Sequence, residues 1–497
     1  MNWVAIRAFV FRWVAPAFVC GLCLFGACPE LLSVRGVAAL AQETRLVFCD
    51  PELQWMFVVC LAVYLTTFLI LSRRLSGNKP LHPARAEFWL VLLLLFGGIR
   101  YASDYGTANR STAALLLFFG AVFGLAADLW AGWVGRSGAR QQSFVLVLIG
   151  LLVIGAFWQP ESNQIFHYRG QARWSGGWEN PNTFGVLMAT GVVIAAGLVV
   201  SLVTRHVSRF SEPKVAGAES KVQGLKSKVI QWMEIVFLIS AGMVCGIGLV
   251  KSYCRGAWLG AVFGVAYLAW KGIAHLTPAL SPRPTGGEGE SSAGLSASLL
   301  AGRSSGSWCK RNWLPIAAIL VSLLILGFWS LRQTENLLVR RALSFGNRSD
   351  FSWRNRVSAW EGALQMMAEK PWLGIGWERT EVIYDQLYRA ERVDESMAIQ
   401  LNDFLSLGTS LGIPALACFS IFIATSISPK SNVQSPKSYA VPTLDFSHWT
   451  FDLPVICRAG ALVLLVGFWF DGGLFKLALG PLFWMLLALG KEARETA

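Results

Sequence analysis

The chain has 497 residues, of which 54% are hydrophobic and 15% are charged. Ordinary globular domains contain about 45–50% apolar and about 25% charged residues. This composition excludes a soluble enzyme, a secreted disulfide scaffold and a disordered chain, and it predicts a polytopic membrane protein. The excess of 43 Lys and Arg over 30 Asp and Glu is interpreted through the positive-inside rule and not as nucleic-acid binding.

The apolar residues are grouped into about twelve runs, of which Ser143–Trp158 and Ile316–Trp329 are examples. A run of about 20 apolar residues crosses the hydrocarbon core as a helix. The chain is therefore predicted to be an all-α, single polytopic domain over residues 1–497, with about twelve membrane helices. The first run ends near Ala27 without a convincing cleavage site, so an uncleaved first span is preferred to a signal peptide.

The short loops between these runs differ in charge and thereby predict their sidedness. Loops 73–86 and 205–228 are rich in Lys and Arg, whereas loop 101–111 contains Arg110 alone as a basic residue. With an even number of spans, both basic loops and both chain ends lie in the cytoplasm.

This topology also predicts on which side of the membrane three further segments lie. Residues 277–307, rich in Pro, Gly and Ser, form a low-complexity cytoplasmic insert. Residues 332–400 form a large outer loop. Cys28 and Cys49 flank another outer stretch and are candidates for a disulfide.

The outer loop 332–400 begins with a basic cluster that includes Arg348, Arg354 and Arg356. Non-cytoplasmic loops usually contain few such residues, and the guanidinium fork matches phosphate oxygens. The cluster therefore predicts an anionic ligand, of diphosphate type, near the outer membrane surface. A solvated charged face, or contact with lipid headgroups, is the alternative interpretation.

Residues 353–369 of this loop are predicted to form an amphipathic helix. Apolar residues recur at spacings of three and four, and Lys370-Pro371 ends the pattern. Arg356 lies at the apolar edge, where an arginine must pair with an anion or extend to the interface. The predicted apolar stripe consists of Trp353, Val357, Trp360, Leu364 and Met367.

Two predicted helix starts carry polar residues. Arg255 heads the span after the turn 251–254, where a helix N-terminus and a guanidinium together suit an anion; an interfacial anchor is the alternative. Asn402 or Asp403 can cap the helix that follows the outer loop.

The outer loop 159–181 contains His167 and Arg173. It ends in Asn180-Pro181-Asn182, a turn that leads into a helix and whose asparagines can cap that helix. Capping alone explains these asparagines, so they are not by themselves evidence of a site.

Four motifs in this order resemble those of the O-antigen ligase and polymerase superfamily. They are RWSGGWENPNTF at Arg173–Phe184, YCRGAWLG at Tyr253–Gly260, RVSAWEGALQMMAEKPWLGIG at Arg356–Gly376 and NDFLSLGTSLG at Asn402–Gly412. Each motif alone is weak, but four in order are fairly specific. The resemblance covers about residues 165–425, a ligase-like core, and the first 150 residues match it only as apolar spans.

The resemblance implies a GT-C-like fold and a glycosyltransferase at the periplasmic face of the bacterial inner membrane. Such an enzyme moves a glycan from a polyprenyl diphosphate to lipid A core, a growing polysaccharide or a protein, among membrane lipids and without a cofactor. Arg173, Arg255 and Arg356 match family arginines that bind the diphosphate, and Asn402 matches the asparagine of the last motif.

Leu401 departs from the family pattern, because it stands where members carry the histidine that activates the acceptor. Cys254 replaces the usual serine, a milder change. Loss of a general base typically costs about 10²–10⁴-fold, whereas electrostatic stabilisation is usually the larger catalytic contribution. His167, the one histidine predicted outside, and Asp403, beside Asn402, are the alternative base candidates. A catalytically inactive paralogue is the other interpretation.

A transporter or flippase for an amphipathic anion is the competing class of function. Such a protein carries ionisable residues within its spans. The predicted spans contain few, among them Asp128, Glu234 and Lys476, which favours a transferase. The chain also lacks a D-x-D sequence, which disfavours a metal-dependent nucleotide-sugar enzyme.

Overall fold

The computed structural model describes residues 13–25, 86–103, 138–159, 166–168, 170–178, 180–211, 220–274, 351–376, 380, 383–389, 402–427, 452–474, 476 and 478–490. This part of the chain is mostly helical, as predicted. Its helices are α1 (Ala15–Phe25), α2 (Ala86–Ser103), α3 (Gly138–Phe157), α4 (Pro181–Ser211), α5 (Ser220–Lys251), α6 (Arg255–Ala274), α7 (Phe351–Glu369), α8 (Asp403–Leu411), α9 (Ile413–Ile427), α10 (Leu453–Phe470) and α11 (Gly480–Leu489). Several predicted features lie outside the described residues, namely the insert 277–307, Arg348, Leu401 and the pair Cys28 and Cys49.

Three of the described helices are long and apolar enough to cross a membrane: Pro181–Val203 in α4, Trp232–Lys251 in α5 and Leu453–Phe470, which is α10. Shorter apolar helices include Gln141–Phe157 and Ile413–Ile427. The described residues thus support a membrane protein, and the number of twelve helices stays a prediction.

The loop between α3 and α4 contains a two-stranded antiparallel hairpin, β1 (His167–Tyr168) and β2 (Gln171–Ala172). A short 3-10 turn, Gly176–Trp178, follows it. The sequence analysis did not predict this hairpin, which is a small exception in a mostly helical structure. Two-residue strands are too short to show the alternating pattern that predicts a strand from sequence.

Helix α4 is central and packs against α5, α6 and α10, with glycines at the closest approaches. A Cβ added to Gly260 of α6 would lie 2.9 Å from the Val463 carbonyl oxygen of α10. A Cβ added to Gly467 of α10 would lie 2.9 Å from Val186 Cγ1 of α4. Small residues permit close packing of apolar helices where the hydrophobic effect gives little preference, so these glycines bring the ends of α4, α6 and α10 together.

Helix α7 forms where an amphipathic helix was predicted, but its buried face differs from the predicted stripe. Ala359, Ala363 and Met366 are fully buried, whereas Leu364 is 58% exposed. The inclusion of Leu364 in the stripe was therefore wrong, because the buried face is rotated toward the small side chains. The rings of Trp360 and Trp469 of α10 form a T-shaped pair, with ring centroids 5.8 Å apart.

The segment after α7 folds back onto the end of α8 through backbone hydrogen bonds. Ile375 N donates to Thr409 O at 2.7 Å, and Ile413 N donates to Pro371 O at 2.8 Å. Gly412 has φ +92°, and a Cβ there would lie 2.3 Å from Trp372 O. The glycines of the last two motifs thus permit this backbone contact, which we call the 371–412 clasp.

Arg458 is an ionisable residue within a predicted span that the sequence analysis did not name. It lies within α10, is buried, and donates from Nε to Gly490 O at 2.6 Å. Gly490 is the C-cap of α11, where cations interact favourably with the helix dipole. Arg458 therefore joins two helix ends, and this structural role leaves the weight of the transporter alternative unchanged.

Candidate functional site

Asp471 is the centre of a buried cluster at the end of α10. Its Oδ1 accepts hydrogen bonds from Arg356 Nη2 at 2.9 Å and from Asn182 Nδ2 at 3.0 Å. Its Oδ2 accepts the thiol of Cys254 at 3.3 Å. The carboxylate thus joins residues from α4, α7 and the turn before α6. Asp471 is only 4% exposed, so these donors replace the water that would otherwise solvate its charge.

The local sequence explains how Asp471 reaches this position. Asp471 is the C-cap of α10, and Gly472 follows it with φ +62°, a conformation that glycine adopts without strain. A Cβ added to Gly256 would lie 2.8 Å from Asp471 Oδ2, so the missing side chain of Gly256 makes room for the carboxylate. The carboxylate therefore lies beside the first turn of α6, where the helix dipole favours an anion.

Arg173 connects the loop before α4 with the turn before α6. Its Nε donates to Ser252 O at 2.8 Å, and its Nη2 donates to Asn182 Oδ1 at 2.8 Å. Asn182 in turn donates to Asp471. Asn180 Oδ1 accepts from the backbone N–H groups of Asn182 and Thr183, which is the capping predicted for this turn. Two donors of Arg173 are thus engaged in holding the site together.

The other arginines with predicted phosphate roles differ in burial. Arg255 is 7% exposed and lies in sequence between Cys254 and Gly256, both of which contact Asp471. Arg354 is exposed on α7. The Arg356 side chain is 12% exposed, and its buried Nε has no hydrogen-bond partner among the residues that the structure describes.

Asn402 and Asp403 have different roles in the structure, although either could have capped the helix by sequence alone. Asn402 caps α8, because its Oδ1 accepts from Phe404 N at 3.0 Å and Leu405 N at 3.1 Å. Within the described part of the chain, the buried Nδ2 of Asn402 has no hydrogen-bond partner. Asp403 instead holds the segment after Asp471.

Asp403 Oδ2 accepts the backbone N–H groups of Gly473 at 2.6 Å and Leu474 at 2.7 Å. Burial raises the pKa of Asp403 to about 6, and these two hydrogen bonds and the charge of Lys476 oppose that rise. Asp403 lies outside the three candidate membrane spans. Its carboxylate is thus a buried backbone anchor with a pKa inside the range where acid–base groups operate.

Two residues of the cluster were missed by the sequence analysis, Asp471 as a site residue and Lys476 as a group near it. Lys476 is exposed, and its Nζ donates to Asp471 O at 3.3 Å. An ionisable residue followed by Gly472-Gly473 at the end of an apolar run was the available signal. His167, by contrast, is exposed on the hairpin strand β1.

Cys254 illustrates how the environment of the cluster controls ionisation. Burial, and then the charge of Asp471, raise the pKa of the Cys254 thiol. The neutral thiol therefore serves as a donor to Asp471 Oδ2.

These features support a helical membrane protein with a buried cluster of polar and charged side chains where several helices end. Residues 241–420 match the family model described as O-antigen ligase. This match confirms the predicted resemblance over that segment, which is similar to the O-antigen ligase family. It supports an enzyme of glycan ligase or polymerase type. A comparison with curated proteins finds no match.

Proposed function

We propose that the protein is a membrane glycosyltransferase of the O-antigen ligase type. Its donor is a glycan on a polyprenyl diphosphate, and its acceptor is lipid A core, a growing polysaccharide or a protein. The reaction takes place at the periplasmic face of the bacterial inner membrane. The single observation that carries this proposal is the convergence on Asp471 of residues from separate motifs, within a chain whose residues 241–420 match the family.

The electrostatics of this cluster suit a diphosphate leaving group. The acceptor oxygen attacks the anomeric carbon, the bond to the phosphate oxygen breaks, and the diphosphate leaves with both electrons of that bond. Arg356 has a guanidinium with donors to spare, since Asp471 engages only its Nη2. Cationic donors placed where negative charge develops are usually the largest catalytic contribution.

Arg255 stands in sequence between Cys254 and Gly256, which both lie next to the same carboxylate, and it would add positive charge at the start of α6. Arg354 and Arg348 would serve at the approach to the site, since Arg354 is exposed. Arg173 would act by holding Asn182 and the turn at Ser252. Asp403 and His167 are the candidates for receiving the proton of the acceptor hydroxyl. Asn402 would help to orient that hydroxyl, because an amide donates and accepts hydrogen bonds but is not a base.

The sidedness of the site belongs to the same proposal. The cluster lies where α5 and α10 end and where α4 and α6 begin. All of these ends are periplasmic in the topology with cytoplasmic chain ends and a periplasmic loop at 332–400. The outer loop would then supply α7, and with it Arg356, to the membrane surface.

The proposal is tested by Arg356→Lys and Arg255→Lys, with Arg389→Lys at an exposed arginine outside the site as the matched control. A phosphate site that uses the guanidinium fork does not accept a point charge, whereas an interfacial anchor does. We expect the first two variants to lose glycan transfer at normal protein levels, and the control to retain it. Full transfer by both Arg356→Lys and Arg255→Lys would contradict the diphosphate site.

The carbohydrate profile of a deletion strain distinguishes the acceptors. Loss of all surface polymer indicates ligation, and accumulation of a single repeat indicates polymerisation. An unchanged profile, together with no transfer by the purified protein, would refute the proposed activity.

A further inference from the structure

We propose that Asp471 is a positioning residue that fixes the guanidinium of Arg356 for diphosphate binding. This inference rests on the proposed function and deepens it. It assigns a role to a carboxylate that no motif contains, 115 residues away in sequence from the arginine that it holds.

The first argument is the geometry of the pair. Arg356 has five N–H donors, and Asp471 Oδ1 accepts from Nη2 at 2.9 Å. The Nε group is buried and has no partner among the described residues. Buried donors are normally satisfied, so an unsatisfied Nε indicates a missing acceptor. Asp471 thus holds the guanidinium at one nitrogen, and other donors stay available to a ligand.

The second argument is the rigidity of Asp471 itself. Its two oxygens accept from Arg356, Asn182 and Cys254, and its backbone N–H donates to Gly467 O at 2.9 Å. Each partner comes from a different element, so the carboxylate is fixed by the packing of the helices. A side chain that accepts this many hydrogen bonds can orient an arginine at the end of a flexible stem.

The third argument is that a pure charge effect and a positioning effect predict opposite changes in anion affinity when Asp471 is replaced. Replacing Asp471 with Asn removes a negative charge and makes the cluster more positive. Coulomb attraction alone would then tighten the binding of an anion. If Asp471 instead fixes Arg356, the same replacement loosens the guanidinium and weakens binding. The sign of the change therefore separates the two interpretations.

The test uses the purified full chain and farnesyl diphosphate as a short polyprenyl diphosphate probe. We expect Asp471→Asn to weaken binding by about 10–100-fold, the range for loss of a hydrogen bond between charged groups. Arg356→Gln should weaken binding at least as much. The double variant should bind no more weakly than Arg356→Gln alone, because Asp471 acts through Arg356.

Two controls separate positioning from folding and from general charge. Asn has nearly the shape of Asp, so Asp471→Asn should keep the protein folded, and its thermal midpoint is measured beside the wild type. Glu361→Gln removes a charge from the exposed side of α7 and should leave binding almost unchanged. An Asp471→Asn variant that binds as well as, or more tightly than, the wild type would overturn the inference, and so would a double variant with multiplied losses.

The proposed function is tested separately, by measuring glycan transfer. A wild type that binds the probe but transfers no glycan contradicts the transferase and leaves the positioning role standing. A wild type that transfers glycan while Asp471→Asn binds the probe normally contradicts only the positioning role. A wild type that transfers glycan but does not bind the probe also overturns the inference.

Discussion

Replacement of Asp403 separates two roles that this buried carboxylate could have. As an anchor it holds Gly473 and Leu474 through their N–H groups, and as a base it would accept a proton from the acceptor. Asp403→Asn keeps an oxygen that can accept the two hydrogen bonds but removes the basic group. Asp403→Ala removes both properties.

The expected changes in stability follow from the hydrogen bonds and the burial. In Asp403→Ala two buried N–H groups lose their acceptor, and each unsatisfied group costs about 1–3 kcal/mol. Near pH 4, where the folded wild type keeps the Asp403 proton, the free energy of unfolding should therefore fall by about 2–6 kcal/mol. In Asp403→Asn the weaker neutral hydrogen bonds are offset by the removal of a buried charge. A pKa raised from 3.8 to about 6 corresponds to about 3 kcal/mol, so Asp403→Asn should be near neutral or stabilising at pH 7.

The same pKa predicts a pH dependence with a definite sign. The folded protein retains the Asp403 proton between pH 3.8 and about 6, where the unfolded chain has already lost it. The stability from this group is fully present below pH 3.8 and is lost as the pH rises through about 6. The Asp403→Asn variant lacks this change, so its advantage over the wild type should grow across that interval and then stay constant.

The assay combines thermal unfolding of the purified protein from pH 4 to 8 with glycan transfer at pH 7. We expect Asp403→Asn to keep most of the transfer and Asp403→Ala to lose both stability and transfer. A stable, folded Asp403→Asn variant with transfer lowered by about 10²–10⁴-fold would refute the anchor role and identify a general base.

Three other predictions concern the clasp, the topology and the exposed histidine. Gly412→Ala should destabilise the protein by about 1–3 kcal/mol in thermal unfolding, because Gly412 has φ +92°, whereas Gly246→Ala, with open space around its Cβ, should not; equal stability of both variants contradicts this. A reporter that works only in the periplasm should be active when it is fused near Asn347, and a reporter that works only in the cytoplasm should be active near Gly289. The reverse pattern would place the site in the wrong compartment. His167→Ala should leave transfer unchanged from pH 5 to 8, and a loss of transfer by about 10²–10⁴-fold would instead identify a base.

Composition and periodicity determined the class of the protein and the motifs of the site. The apolar runs predicted helices, and the motif order predicted a family resemblance that the match at residues 241–420 confirms. The amphipathic pattern also placed α7 within two residues of its observed bounds. These features depend on neighbours close in sequence, because helix periodicity and capping act over a few residues.

The tertiary structure alone decided which residues meet. Asp471 and Arg356 are 115 residues apart, and no local pattern states that the end of α10 lies against α7 and α6. Helix α7 contacts its neighbours through a face of small side chains. Ala359 is therefore buried, and Leu364 is exposed. Periodicity reports which side chains are apolar, whereas the partner of a buried charge is set by helix packing, and the site at Asp471 exists only through that packing.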